Sequence, residues 1–438
     1  MAMVRELRSF LLIWSGQLIS VIGSRLSSFA LGLWVYQRTG STTEYGLLWV
    51  AMAVPALLVS PIAGALVDRH DRKKVMLLAD SFAAAGTVAI AFLLWTGRLD
   101  LWVIYLAAGV QAMANAFQVP AYQSSIPLLV PPQHLVRANG LVQSAQATAQ
   151  IAGPLLAGLL VTIISLPGVL MVDFATFLFA VAMLLLVTIP RPPSPAPAAE
   201  GAAESSLLGE AGEGLRYVRQ RPGLLGLLLI FAMTNFFFGI LAVVITPLVL
   251  SFGTPAQLGL QMAVGGAGLL AGGLLMAAWG GPRRKIDGVL GALVAGGVFL
   301  VAHGLAPSFL LVCVAGFAFF LTLPIAGAAS DAIWQTKVPP ALQGRCFAIQ
   351  RVVSEAFLPL GFCVAGPLAD RLFEPAMAAD GPLAPTVGAL IGAGPGRGLA
   401  LIFIVGGLSF LLVGAAGYLF PRLRRVEAEL ADALPEGT

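Results

Sequence analysis

The chain has 438 residues, of which 58% are hydrophobic and only 11% are charged, and its formal net charge is +4. Soluble proteins carry about 25% charged residues, so this composition excludes a water-soluble fold with an ordinary surface. Together with a mean hydropathy of +0.91, it predicts an all-α polytopic membrane protein whose surface faces mostly lipid.

Apolar stretches near the ~20 residues that a membrane-crossing helix needs predict twelve spans. The first six are 10–35, 46–67, 75–96, 101–122, 141–165 and 168–189, and the second six are 223–249, 256–279, 287–305, 307–330, 350–369 and 398–420. A Pro-rich polar stretch between the two sets is typical of a linker. We therefore predict a six-helix bundle over 1–190, a cytoplasmic linker over 191–222, a second six-helix bundle over 223–421 and a cytoplasmic tail over 422–438. Within the linker, residues 210–221 are expected to form a short surface helix.

The distribution of basic residues predicts the orientation of the spans. With the N-terminus in the cytoplasm, the inside segments hold twenty of the 25 Lys and Arg residues and the outside segments hold four. This bias follows the positive-inside rule and places both termini in the cytoplasm. Arg outnumbers Lys and small residues are abundant, as is typical of GC-rich bacterial genomes, so the expected location is the bacterial cytoplasmic (inner) membrane.

The two halves of the chain carry the same landmarks in the same order. Residues 130–137 read VPPQHLVR before span five, and residues 338–345 read VPPALQGR before span eleven. Further along, the sequence AGPL occurs at 152–155 and again at 365–368. Repeated landmarks of this kind indicate two pseudo-symmetric bundles related by an axis along the membrane normal.

The loop after span two reads GALVDRHDRKK over residues 64–74. It resembles the signature loop of the major facilitator superfamily, with Asp71 where that family usually has Gly. The resemblance implies a conformational latch formed by Gly64, Asp68, Arg69, Arg72 and Lys73. Gly64 would let two helices approach closely, and Asp68 would bind a cationic side chain or a helix N-terminus.

Span five reads AQIAGPLLAG over residues 149–158. It is similar to the Gly-Pro motif of the antiporter branches of the same superfamily, although alanines replace two of its glycines. The motif residues Gly153, Pro154 and Gly158 are expected to bend the helix and to let it pack closely. An ordinary small-residue packing face is the alternative interpretation.

Stretches throughout the chain resemble the macrolide-efflux and siderophore-exporter branch of this superfamily. They include FLLIWSGQLIS at 10–20, FALGLWVY at 29–36, GPLADR at 366–371 and GPGRG at 394–398. The resemblance implies a secondary active transporter that acts as a monomer, with a central cavity and alternating access. It also implies export of small amphipathic molecules, such as macrolide-like drugs or siderophores, by proton-coupled antiport.

Polar residues within the spans are the candidates for the substrate cavity. Gln111 and Asn115 share one face of span four with Gln118, and Gln143 and Gln146 share one face of span five. Because lipid penalises amides, both faces should point inward, unless these amides only join helices by hydrogen bonds. The predicted cavity residues are Gln17, Arg25, Gln111, Asn115, Gln143, Gln146 and Asn235.

Proton coupling requires a carboxylate whose affinity for a proton changes with its hydration. Glu355 in span eleven is the first candidate and Asp173 in span six is the second. Arg351 lies one turn before Glu355, and a stable ion pair between them would hold Glu355 charged. Span four has no Arg where many drug–proton antiporters of the superfamily carry one, so their coupling scheme is not implied.

Several other functions find no support in the sequence. No phosphate-binding loop of the Gly-x-x-x-x-Gly-Lys-(Ser/Thr) type occurs, and the three cysteines have no metal-ligand spacing. We expect no enzyme activity, no metal, no cofactor and no nucleic-acid partner. The partners predicted are a small molecule, protons and the lipid bilayer. Uptake by substrate–proton symport is the main alternative to export, and a transport-inactive membrane sensor is a further one.

Overall fold

The computed structural model describes residues 7–190 and 207–430, and these residues contain no β-strand. By its internal contacts the chain divides into two compact units. The first comprises Met1–Ala196 with Thr254–Ala263, and the second comprises Pro197–Gly253 with Val264–Thr438. The main boundary between the units falls within the predicted linker.

Long helices form the described part of the first unit. They are α1 (Arg8–Thr39), α2 (Thr42–Arg69), α3 (Arg72–Trp95), α4 (Leu101–Leu129) and α5 (Leu135–Leu185), the last preceded by a 3-10 turn at Pro132–His134. α5 consists of two arms that meet at Ser165, where φ is 56° and ψ is −179°. Few residues with a side chain adopt a positive φ, so Ser165 marks a sharp bend. Predicted spans five and six are therefore the two arms of α5.

The described part of the second unit is also helical. Its helices are α6 (Leu207–Arg219), α7 (Pro222–Leu250), α8 (Pro255–Trp279, whose first residues belong to the first unit), α9 (Lys285–Leu305), α10 (Phe309–Lys337), α11 (Pro340–Pro367), α12 (Glu374–Met377), α13 (Val387–Ile391), α14 (Arg397–Leu419), α15 (Pro421–Arg424) and α16 (Val426–Glu429). A π-helical turn at Leu368–Phe373 follows α11.

The helices account for twelve membrane crossings. Ten helices in the described part of the chain are long and apolar enough to cross a membrane. One of the ten contains both arms of α5. α4 is not among the ten, but it has 29 residues and no charged side chain, which is more than the ~20 residues that a crossing needs. The fold class predicted from the sequence is confirmed, although α4, α10 and α11 extend beyond spans four, ten and eleven.

Short polar residues at the helix ends explain several of the boundaries. Ser41 accepts a hydrogen bond from the Glu44 backbone N–H at 3.2 Å and so caps the start of α2. Asp71 caps α3 by accepting from the backbone N–H groups of Lys73 at 3.0 Å and Lys74 at 3.3 Å. These bonds satisfy donors that a helix N-terminus otherwise leaves without partners. Asp71, the departure from the family pattern, is thus the residue that starts α3.

The repeated VPP landmark has the same backbone conformation in both units. Val130 and Val338 are the C-caps of α4 and α10, with φ and ψ of −126° and 126° in one and −103° and 125° in the other. Pro131 and Pro339 follow with φ of −56° and −55°. The sequence match therefore corresponds to a shared structural element, which ends one helix and begins the next.

The surface helix α6 packs against the beginning of α11 within the second unit. Glu213 forms an ion pair with Arg345, and the Tyr217 hydroxyl donates to the Lys337 carbonyl oxygen at 3.2 Å. A Cβ atom built on Gly214 would lie 3.1 Å from the Arg345 carbonyl oxygen, so the helices are in close contact there. α6 is thus an integral part of the second unit.

Candidate functional site

The first unit contains a partly open cavity of about 840 Å³, lined by residues of α1 to α5. This volume is within the range of pockets that hold small molecules, about 300–1,000 Å³. Its polar and charged lining includes Gln17, Ser24, Arg25, Ser28, Asp80, Thr87, Gln111, Asn115, Gln118, Gln123, Asn139, Gln143, Gln146 and Asp173. Such residues are costly at membrane depth unless they face the protein interior or water, and here they converge on one cavity.

Six of the seven predicted cavity residues line this cavity: Gln17, Arg25, Gln111, Asn115, Gln143 and Gln146. Asn235 does not belong to it, because it lies on α7 in the second unit and donates to the Ser354 carbonyl oxygen at 2.9 Å. Its role in substrate binding stays a prediction. Asn235 instead joins α7 to α11, which is the helix-joining role that the sequence left open for membrane amides.

A network of amides on α1 and α4 leads to a carboxylate on α3. Gln118 Nε2 donates to Gln17 Oε1 at 2.5 Å, and Asp80 lines the same cavity as these two amides. Asp80 Oδ2 is buried and has no hydrogen-bond partner in the part of the chain that the structure describes.

Asp173, the second carboxylate of the cavity, has a different environment. Its side chain on the second arm of α5 is 5% exposed. Thr87 Oγ1 donates to Asp173 Oδ2 at 3.2 Å. This carboxylate therefore has a hydroxyl donor from α3.

The glycines of the motif in the first α5 arm make close contacts. A Cβ atom built on Gly153 would lie 2.5 Å from Arg25 Cβ, and one built on Gly158 would lie 2.6 Å from the Pro255 carbonyl oxygen. A Cβ on Gly259 of α8 would likewise lie 2.3 Å from the Pro154 carbonyl oxygen. Glycine is required where backbones approach this closely. The packing at Gly153 also holds α1 at the position where Arg25 enters the cavity lining.

Two basic residues anchor the start of α3 to neighbouring helices. Arg72 Nη1 donates to the Ser124 carbonyl oxygen at 2.9 Å, and Lys73 Nζ donates to the carbonyl oxygens of Leu185 at 3.2 Å and Val187 at 2.6 Å. These acceptors lie at or near the ends of α4 and α5, where the negative end of a helix dipole favours a cation.

The remaining residues of the predicted latch are Asp68, Arg69 and Gly64. The side chains of Asp68 and Arg69 lie outside what the structure describes, so their roles stay predictions. No described atom lies within 4 Å of a Cβ atom built on Gly64, and the role of Gly64 in the latch stays a prediction.

Glu355 forms the ion pair that the sequence allowed. Arg351 Nε lies 3.0 Å from Glu355 Oε1, and the two side chains are 78% and 52% exposed. Both belong to the second unit, and neither is among the residues that line the cavity of the first. The role of Glu355 in proton coupling stays a prediction.

Sequence reasoning missed Asp80 and Asn139 as cavity residues. Asp80 lies in the third predicted span, and a carboxylate in such an apolar stretch is itself a signal of function. Asn139 lies in α5 just before the fifth predicted span begins, so it was treated as part of a loop. Both line the cavity beside Gln17 and Gln118.

Twelve membrane crossings and a polar cavity at membrane depth define the class of polytopic membrane transporters. The model of the Major Facilitator Superfamily matches residues 13–361, which is most of the chain. The chain belongs to the major facilitator superfamily. Members of this superfamily move small molecules across membranes, and they are not enzymes.

Several characterised exporters are similar to the chain along most of its length. Macrolide efflux protein A of Streptococcus pyogenes is 28% identical over 367 residues, which cover 83% of this chain and 90% of that protein. Multidrug efflux pump Tap of Mycolicibacterium fortuitum is 24% identical over 435 residues, which cover 95% of this chain and 97% of that protein. The predicted resemblance to efflux proteins is confirmed by these relatives.

Solved structures share the fold. A bacterial homologue of the human lysosomal transporter Spinster, in an inward-facing and unoccupied conformation, matches with a TM-score of 0.74 and 16% identity. The match covers 99% of both chains. At this identity the likeness concerns the fold alone.

Proposed function

We propose that the chain is a secondary active exporter of small amphipathic molecules, such as macrolide-like drugs or siderophores. The observation that carries the proposal is the cavity of the first unit, where amides from several helices surround a space large enough for such a molecule. The names of macrolide efflux protein A and multidrug efflux pump Tap support the direction of transport and the substrate class.

The exporter acts in this proposal as a monomer in the bacterial inner membrane, with both termini in the cytoplasm. The charge bias of the loops supports the orientation. Substrate binds without a cofactor, and the bundles open alternately to the two sides. The loop at 64–74 serves as the latch for the closed cytoplasmic side, with Arg72 and Lys73 anchoring it to neighbouring helices.

Proton antiport supplies the energy in this proposal. Asp173 and Glu355 remain the two candidate carboxylates, and their environments now distinguish them. Asp173 lies in the cavity, where alternating access changes hydration and with it the affinity for a proton. Glu355 is half-exposed, is paired with Arg351 and does not line the cavity. We therefore place Asp173 first and Glu355 second.

Reconstituted protein tests both the direction and the coupling. Proteoliposomes with an imposed pH gradient should move a macrolide against the direction of proton flow. Asp173→Asn mimics the protonated state, so it should abolish uphill transport while leaving downhill exchange intact. Glu355→Gln should still respond to the gradient.

Each alternative gives a different outcome in the same assay. Movement of the macrolide in the direction of proton flow would establish symport and exclude the proposed antiport. Wild-type transport that does not respond to the pH gradient would exclude proton coupling. Loss of uphill transport in Glu355→Gln alone would move the proton site to α11.

A further inference from the structure

The two carboxylates of the cavity differ in how far their charge is already compensated. Asp173 accepts from the Thr87 hydroxyl at 3.2 Å. Asp80 Oδ2 has no hydrogen-bond partner among the described residues. A buried carboxylate oxygen without a partner is costly. Asp80 is thus the carboxylate whose environment is incomplete when the cavity is empty.

The free oxygen of Asp80 defines the kind of group that would complete its environment. A carboxylate only accepts hydrogen bonds, and no described residue donates to Asp80 Oδ2. A cation or a donor group would therefore supply the missing partner of the charged carboxylate.

The charged residues that line the cavity support the same conclusion. Its lining contains one cation, Arg25, and two carboxylates, Asp80 and Asp173, which formally leaves one excess negative charge. In the described residues Arg25 pairs with neither carboxylate. Asp80 lies seven residues before Thr87 on α3, and Thr87 is the residue that donates to Asp173. The two carboxylates are therefore about 10 Å apart along the axis of α3. The excess charge is thus located on the side of the cavity near Asp80.

We propose that Asp80 binds the protonated amine of the transported molecule and makes the cavity selective for amphipathic monovalent cations over neutral molecules of the same shape. The inference rests on the proposed export function and adds to it the charge of the substrate and the residue that recognises it. A charge-assisted hydrogen bond from the ammonium group to Asp80 supplies the missing partner. The remaining amides then contact the uncharged part of the substrate.

A matched pair of ligands tests this proposal on the purified full-length chain in detergent. Erythromycin carries a tertiary amine that is protonated at neutral pH, and erythromycin N-oxide keeps the macrocycle without a net charge. Equilibrium binding should favour the amine by about tenfold or more, because a hydrogen bond between charged groups is about twice as strong as a neutral one.

The variants locate this selectivity at Asp80. Asp80→Asn keeps the size of the side chain and removes the charge, so it should weaken binding of the amine to the level of the N-oxide. Asp80→Ala provides a second neutral variant if Asp80→Asn does not fold. Asp100→Asn, an exposed carboxylate at the N-cap of α4, is the matched control and should retain the selectivity.

The outcomes separate the inference from the proposed function. Equal binding of both ligands by the wild type, or selectivity that persists in the neutral Asp80 variants, overturns the inference alone. Failure of the wild type to bind either ligand overturns the proposed macrolide class and the inference with it. Loss of selectivity at Asp80 with retention in Asp100→Asn supports both.

Discussion

Replacing Gly259 by Ala should destabilise the folded chain, although Ala favours a helix more than Gly does. Gly259 lies near the start of α8, where the helix crosses the first arm of α5. A Cβ atom at this position would lie 2.3 Å from the Pro154 carbonyl oxygen and 3.2 Å from the Gly158 Cα atom. Contacts shorter than 3.0 Å are essentially never made by real Cβ atoms, so one of the helices must shift.

Two opposing effects determine the size of the loss. Ala in place of Gly gains about 1 kcal/mol of helix propensity. Inserting a methyl group into a well-packed contact costs about 1–3 kcal/mol when a backbone must move. The steric cost therefore exceeds the gain in helix propensity by up to about 2 kcal/mol, which corresponds to a fall of several degrees in the melting temperature.

Thermal unfolding of the purified chain, followed by size-exclusion fluorescence, measures this effect. Gly273→Ala is the matched control, because Gly273 lies on the same helix and no described atom lies within 4 Å of its Cβ position. The control should melt at or slightly above the wild-type temperature. If Gly259→Ala melts as high as Gly273→Ala, the close approach of α5 and α8 does not contribute to stability and the reasoning fails.

Three further predictions concern the orientation, the latch and the second unit. A Cys introduced at Ser205 should resist labelling by impermeant maleimide from outside intact cells, and ready labelling there would overturn the predicted orientation. Asp68→Asn should slow transport severalfold without reducing membrane insertion, whereas Asp71→Asn should transport normally, since Asn caps a helix as well as Asp does; equal rates for both would contradict the latch. Lys337→Met should lower the melting temperature by the equivalent of about 1–3 kcal/mol, because Lys337 Nζ donates to the carbonyl oxygens of Glu427 at 2.5 Å and Leu430 at 2.7 Å. Lys285→Met, whose ion pair with Glu427 spans 3.8 Å, should lower it less, and an equal loss would contradict this explanation.

The membrane fold could be predicted from the sequence because it depends on properties that are local along the chain. Apolar length alone located the spans, and the repeated VPP landmark located helix boundaries that share one backbone conformation. The bend at Ser165 could not be predicted from the sequence. Both arms of α5 are apolar, and nothing in the residue pattern shows that they join without a separate loop.

The site was predictable where several amides share one helix face. Gln111 and Asn115 satisfy this pattern, and both line the cavity. Asp80 does not fit this pattern, because the residues near it are Gln17 and Gln118, which are distant from it in sequence. Asn235 shows the opposite case, since a polar residue at membrane depth finds its partner in a neighbouring backbone. Tertiary contacts therefore decide which polar residues serve a ligand.

The packing of α6 on α11 determines where the chain can be divided into two fragments that are expressed from separate genes. Because α6 belongs to the second unit through Glu213, Gly214 and Tyr217, a fragment that begins after Arg219 would lose these contacts and expose the Ile349 side of α11. Division before Leu207 keeps α6 with the helices on which it packs. Co-expressed halves divided at that point should assemble an active transporter, whereas halves divided between α6 and α7 should yield an unstable second fragment.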